Sequence, residues 1–194
     1  MTPRIAEILA QITRLEAELE REVAAARVPR GFSIEGGRVR FTAQARRLHR
    51  GLRLGLVPFL RDMRPLNLIT APMIYSMILP IALCDLWTTV YQHICFRAYR
   101  IPRVRRSDYI VFDRHRLRYL NAIEIVNCLY CGYANGVIAY AREVAGRTEQ
   151  YWCPIKHAAR PRDPHAHYRH FAEYGDAAAY RARLEELRRQ LRHP

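Results

Sequence analysis

The sequence predicts a mainly α protein, and three observations predict it. Residues 65 to 84 carry no charged side chain, and after Asp85 a second uncharged run continues from Leu86 to Phe96. A proline-free segment runs from Asp113 to about Arg147 with apolar residues at helical spacing. Both ends of the chain place apolar residues three and four apart. One short stretch near the N-terminus alternates as strands do.

In chain order, residues 1–30 form the first element. Ile5, Ile8, Ile12, Leu15 and Leu19 make an amphipathic helix that ends near Val28-Pro29. Its two or so heptads are short for an isolated coiled coil, so it is expected to pack on the chain or on a second copy. Residues 31–64 hold two elements. Phe32 to Phe41 alternates around Gly36-Gly37 and predicts a small β-hairpin. From Thr42 to Leu60, Leu48, Leu52, Leu56 and Phe59 or Leu60 recur at helical spacing among Arg46, Arg47, Arg50 and Arg53. That is the pattern of a basic helix lying in a lipid headgroup layer.

Residues 65–98 are the apolar segment, long enough to enter a bilayer, where about 20 apolar residues suffice to span. Pro72 and Pro80 mark kinks or breaks. Arg61 and Arg64 precede the segment, and Arg97, Arg100, Arg103, Arg105 and Arg106 follow it. A simple span asks for one basic side. Two basic sides favour a helical hairpin that dips into one leaflet and returns, over a single tilted span. Asp85 then lies near the turn, as a cap on the second half-helix, or is buried facing protein. A buried core hairpin of a water-soluble protein is the competing reading, and the mean hydropathy of −0.25 keeps it open.

Residues 99–170 carry the chemistry. Cys128, Cys131, Cys153 and His157 are spaced C-x2-C-x21-C-x3-H. Thiolates and imidazole are the ligand set of zinc, iron and iron–sulfur centres. At about 100° per residue, Asn121, Glu124, Cys128, Cys131 and Asn135 fall within an arc of roughly 80° on the long helix. Glu149, Cys153 and His157 follow at i, i+4 and i+8, although Pro154 argues for a break there. The expectation is a Cys3His-type centre at Cys128, Cys131, Cys153 and His157. Glu124 and Glu149 stand beside it as ligands or as acceptors that orient it, with Asn121 and Asn135 on the same stripe. Asp85 and His93, eight residues apart with Thr89 between them, are further candidates. Cys84 and Cys95 read as buried small hydrophobes. Gly132 and Gly136 leave room for another backbone or a cofactor. The basic connector from Arg160 to His170 contains His165, His167 and His170, read as solvated loop histidines or as extra ligands. Residues 171–194 form a last helix, with Asp176 as N-cap and Tyr180, Leu184, Leu187 and Leu191 as its apolar stripe.

The stretches Tyr109-Ile-Val-Phe-Asp-Arg-His115, Tyr119-Leu-Asn-Ala-Ile-Glu124, Asn127-Cys-Leu-Tyr-Cys-Gly-Tyr133, Asn135-Gly-Val-Ile-Ala-Tyr140 and Arg147-Thr-Glu-Gln-Tyr-Trp-Cys-Pro-Ile-Lys-His157 resemble a family of bacterial membrane-associated proteins of unknown function. The resemblance covers roughly residues 66 to 158. It implies only a bacterial protein with a signature around the cysteines, and it points to no particular activity.

The formal net charge is +14, almost all of it from arginine. Such a balance suits an anionic membrane surface. Nucleic acid is disfavoured, because no reader motif accompanies the arginines and the aromatic residues gather near the cysteines. The first thirty residues show no secretory signal. The expected location is therefore the cytoplasmic face of a bacterial inner membrane, where a metal centre is favoured over structural disulfides. The expected function is a membrane-associated metal-binding protein, zinc or iron or an iron–sulfur cluster, with a redox role open to it. Two alternatives stand beside it. One is a thiol–disulfide oxidoreductase using Cys128 and Cys131. The other is a non-catalytic membrane adaptor with structural zinc, whose terminal helices bind a partner protein or a second copy. There is no nucleotide-binding glycine loop and no Ser–His–Asp signature.

Overall fold

The computed structural model describes residues 3–25, 31–35, 38–159 and 161–192. It is mainly helical with one two-stranded sheet. The chain divides into two compact units, Met1–Arg53 and Leu54–Pro194.

In the first unit, α1 (Pro3–Ala25) shows Ile8, Ile12, Leu15, Leu19 and Val23 on its surface. β1 (Phe32–Glu35) and β2 (Arg38–Phe41) pair antiparallel, with Phe32 opposite Phe41. Their rings lie 5.8 Å apart, a cross-strand aromatic pair that fixes the register. The expected end of α1 near Val28-Pro29 and the Gly36-Gly37 turn lie outside the described residues. Thr42 then caps α2 (Ala43–Gly51), its hydroxyl accepting the Ala45 N–H at 3.2 Å.

The expected single helix from Thr42 to Leu60 is two. α2 stops at Gly51, and α3 (Leu56–Asp62) starts after Gly55 in the second unit. A glycine stands at each side of the break, where helix propensity is lowest short of proline.

The apolar segment is one helix with a turn at Met77, the single-helix alternative and not the favoured hairpin. α4 (Pro65–Ser76) and α5 (Ile78–Tyr91) meet at Met77, which keeps a right-handed helical conformation. A π turn (Gln92–Phe96) and the single turn α6 (Arg97–Tyr99) extend the helix to 35 residues. Neither proline reverses the chain, for local reasons. Pro80 sits in the first turn of α5, where it is tolerated, and no glycine stands at Met77 to supply a left-handed reversal. Asp85 accordingly lies in mid-helix and not at a cap. The helix ends at Arg100, in the left-handed region at φ 59°, where the Ile101 N–H reaches back to the Phe96 carbonyl at 2.8 Å.

α7 (Ala122–Trp152) is the long cysteine-bearing helix, with both ends displaced from the expected Asp113–Arg147. Residues 113–121 form a short 3-10 turn and bends instead. α7 runs parallel to the α4–α5 helix. Tyr75 bonds Asn127, Tyr133 bonds Asp85, Tyr140 bonds Thr89 and Gln92, Tyr91 bonds Thr148, and Tyr99 stacks on Tyr151. Parallel neighbours need a return segment, and residues 100–121 provide it in mostly non-helical conformation. The core forms where this return, the π turn and α7 meet, around Phe96, Ile101, Val104, Tyr140 and Val144. Asp176 caps α8 (Ala177–Arg192), its Oδ1 accepting the Ala179 N–H at 2.8 Å. α8 buries Leu187 and Leu191 and receives the Gln150 amide on the Leu187 carbonyl at 2.9 Å.

Candidate functional site

The four residues of the expected metal centre are not brought together. Cys128 and Cys131 sit early in α7, while Cys153 is its C-cap. At 1.5 Å rise per residue, the 22 to 25 positions between them amount to about 33–38 Å. His157 lies beyond Pro154, with its backbone N–H on the Tyr168 hydroxyl and its ring stacked on Tyr168. Glu149, Cys153 and His157 share no helix face, because the helix stops at Trp152. Burial, and then the Glu149 carboxylate, push the Cys153 thiol above its ordinary pKa. Among the described residues, no group of three or more His, Cys, Asp or Glu side chains is placed to hold a metal ion.

The flanking candidates have other work. Asn121 and Glu124 form a capping box. The Asn121 side chain accepts the Glu124 N–H at 3.0 Å, and the Glu124 carboxylate accepts the Asn121 N–H at 2.8 Å. Asn135 donates to the Cys131 carbonyl at 2.9 Å. His93 sits in the π turn, exposed, with Nδ1 2.7 Å from the Thr89 carbonyl.

Asp85 belongs to a polar seam that clamps the return segment. Arg106 donates to it through two nitrogens, Nε reaching Oδ1 at 2.8 Å, and the Tyr133 hydroxyl donates at 2.9 Å. About two turns on, Gln92 is buried and holds Val104 from both sides, donating to its carbonyl at 3.3 Å and accepting its N–H at 3.0 Å. Asp85, Thr89 and Gln92 recur at i, i+4 and i+7 in an otherwise apolar run. That spacing was a readable signal of a packed polar face, and the pairing of Asp85 with His93 missed it.

A second cluster joins α7 to the connector. Nε2 of His165 donates to Glu149 at 2.7 Å, and Nε2 of His167 to Glu143 at 3.2 Å. Arg147 also donates to Glu143 at 2.7 Å and to the Pro102 carbonyl at 2.8 Å. His167 first, and then Arg147, pull the Glu143 carboxyl down to about 2. Gly146 makes the approach possible, since a Cβ there would stand 2.9 Å from Nδ1 of His165. These histidines strap residues 161–172 onto α7, and a backbone bridge between Ile155 and Ala172 ties that strap to the segment after the helix. His170 is separate. Burial first, and then Arg169, lower its pKa.

Two surface features stand out among the described residues. One is the apolar side of the Pro65–Tyr99 helix. Leu66, Ile69, Met73, Leu79, Leu83, Leu86, Trp87, Val90 and Ile94 are exposed, Ile69, Leu79 and Trp87 by 70–74%. At about 100° per residue they occupy one half of the helix, opposite Asp85, Gln92 and Phe96. The other is a cleft of ≈ 780 Å³ between α3, α4 and the first turns of α7, with Cys131 on its wall. No family model, curated protein or solved structure matches the chain, so its own residues carry the functional reading.

Proposed function

We propose that the protein works at an anionic membrane surface as a non-catalytic binding or adaptor protein, held in one leaflet by the exposed face of the Pro65–Tyr99 helix. The observation that carries this reading is the apolar half-cylinder from Leu66 to Ile94. Soluble monomers rarely expose contiguous apolar surface on that scale, and such patches mark membrane or partner interfaces.

The connectivity supports a helix lying in the leaflet over helices crossing it. Two helices, Pro65–Tyr99 and Ala122–Trp152, are long and apolar enough to cross a membrane. They run parallel, so if both crossed, residues 100–121 would cross back between them. That segment is mostly non-helical and contains Arg103, Arg105, Arg106, Arg114, Arg116 and Arg118. Unpaired backbone and guanidinium groups are both costly in hydrocarbon. With the Pro65–Tyr99 helix in the interface, the return segment and α7 stay on the water side. Arg61 and Arg64 at one end, and Arg97 and Arg100 at the other, then meet anionic headgroups on the same side.

Sedimentation with sealed vesicles tests this. The protein pellets with phosphatidylglycerol vesicles and stays down in high salt. Burying one leucine contributes about 1.5–3 kcal/mol, so Leu79→Glu with Leu83→Glu lowers partition by at least about tenfold. Cysteines placed at Arg61 and Arg100 react with an impermeant maleimide from the same side of the vesicle. Wild-type protein that remains in the supernatant, or labels that report opposite sides, would overturn the reading.

A further inference from the structure

The cleft between α3, α4 and α7 has the chemistry of a binding site for an acyl chain with an anionic head. Its volume of ≈ 780 Å³ falls in the roughly 300–1,000 Å³ range of small-molecule sites. Leu54, Phe59, Leu60, Met63, Leu68 and Ile74 supply most of the apolar wall. Leu54, Leu60, Leu68 and Ile74 are all exposed, so the concavity leaves apolar surface in water that an apolar occupant would cover.

The polar groups of the wall decide what kind of occupant fits. The Tyr75 hydroxyl is spent on Asn127, and the Tyr130 hydroxyl on the Ile74 carbonyl at 2.7 Å. A peptide would bring N–H and C=O groups that these satisfied partners cannot serve. The rim differs. Arg64 and Asn67 border the cleft, and neither side chain has a hydrogen bond or ion pair among the described residues. Among the described residues, Arg64 is the one cation of the lining and Asp62 its one anion, so an anionic head is placed by Arg64. We infer that the cleft takes a single acyl chain along its apolar wall, with the carboxylate or phosphate at the end of that chain held by Arg64. The chain belongs either to a free fatty acid or to a membrane phospholipid. The inference goes beyond the membrane reading and stands without it.

Cys131 and Cys84 report on the two ideas separately. Both are exposed, but Cys131 lines the cleft while Cys84 lies on α5 away from it. The measurement is the rate of iodoacetamide alkylation at each thiol of the full chain, resolved by peptide mass spectrometry. Hexadecanoate below its micelle concentration, with no vesicles, slows Cys131 by about tenfold or more, saturates at one equivalent, and leaves Cys84 unchanged. Hexadecanol has the same chain without the charge and needs about tenfold more ligand for the same protection. Arg64→Gln removes the difference between acid and alcohol. Ala71→Trp fills the cleft and removes protection by both, with helix content checked by circular dichroism. Protection of Cys131 by phosphatidylglycerol vesicles and not by hexadecanoate supports the site and identifies a bilayer lipid as the source. The inference is overturned if neither probe slows Cys131, if both thiols slow equally, or if folded Ala71→Trp is protected as the wild type is. Vesicles that shield Cys84 alone would leave the membrane reading intact and remove this one.

Discussion

From Ala134 onward α7 buries Ala134, Gly136, Val137, Tyr140, Val144, Gly146 and Gln150, whereas no residue from Ala122 to Tyr133 is buried. The same contrast runs through its partner helix, where α4 buries nothing and α5 with the π turn buries Asp85, Gln92 and Phe96. One end of the helix pair is thus a packed body, closed by the return segment, the histidine strap and α8. The other is an open fork with a cleft in it. Packed regions carry global stability, and regions of low contact density are where ligands are admitted. Cys128 and Cys131 lie in the fork, while Cys153 and His157 lie at the packed end.

The largest effect should come from the strap at the packed end. The Glu143 carboxyl sits at about 2, well below the ordinary glutamate value of about 4.5. A carboxylate with a depressed folded-state pKa adds stability that is fully present above its unfolded pKa. That stability is lost as pH falls through the folded value. The shift corresponds to roughly 3 kcal/mol, lost between about pH 5 and pH 2. Urea unfolding from pH 7 down to pH 2.5 should show this loss, and Glu143→Gln should flatten it. An unchanged pH slope in Glu143→Gln would mean that the strap does not hold the packed end together.

A matched pair of glycines sharpens the contrast at the boundary between the halves. A Cβ at Gly136 would stand 2.7 Å from the Tyr109 carbonyl oxygen and 2.9 Å from the Ile110 Cα, both backbone. At Gly132 the nearest atom is the Val111 carbonyl oxygen at 3.7 Å, an ordinary contact. Alanine gains up to about 1 kcal/mol in helix propensity at either site. At Gly136 overpacking against an immobile backbone, about 1–3 kcal/mol, exceeds that gain. Gly136→Ala should therefore lower the urea midpoint and Gly132→Ala should raise it slightly. Equal signs would show that the return segment is not seated against α7.

What was legible in the sequence divides along the same line. The Phe32–Phe41 hairpin, the Asp176 cap and the long cysteine helix depend on neighbouring residues, and short-range patterns report them. The start of α7 was legible too. Asn121-Ala-Ile-Glu124 is a capping box by spacing, and assigning both residues to a ligand stripe overlooked that. The parallel arrangement was harder to see. Its trace is the length of the connection, since residues 100–121 are far longer than an antiparallel helix turn needs. The strap was not legible, because His165 and His167 meet Glu149 and Glu143 only after the chain folds back over Gly146. The four residues of the Cys3His spacing are not brought together, for the converse reason. Ligands on both sides of a turn converge, but ligands at the two ends of one unbroken helix are held apart by it.

The smallest expected effect tests whether the fork is as open as its packing indicates. Cys131 is exposed and lines the cleft, with no core contact for a substitution to disturb. Cys131→Ser should change stability by no more than about 0.5 kcal/mol, the range of surface substitutions. Elemental analysis of protein purified anaerobically should then find no stoichiometric zinc or iron, since two thiols at i and i+3 supply only half of a closed zinc site. The opposite result would be informative. If Cys131→Ser unfolds the fork and releases one equivalent of metal, the missing ligands come from a second copy of the chain. The fork would then be an assembly surface stabilised by metal, and Cys128→Ser should cause the same unfolding.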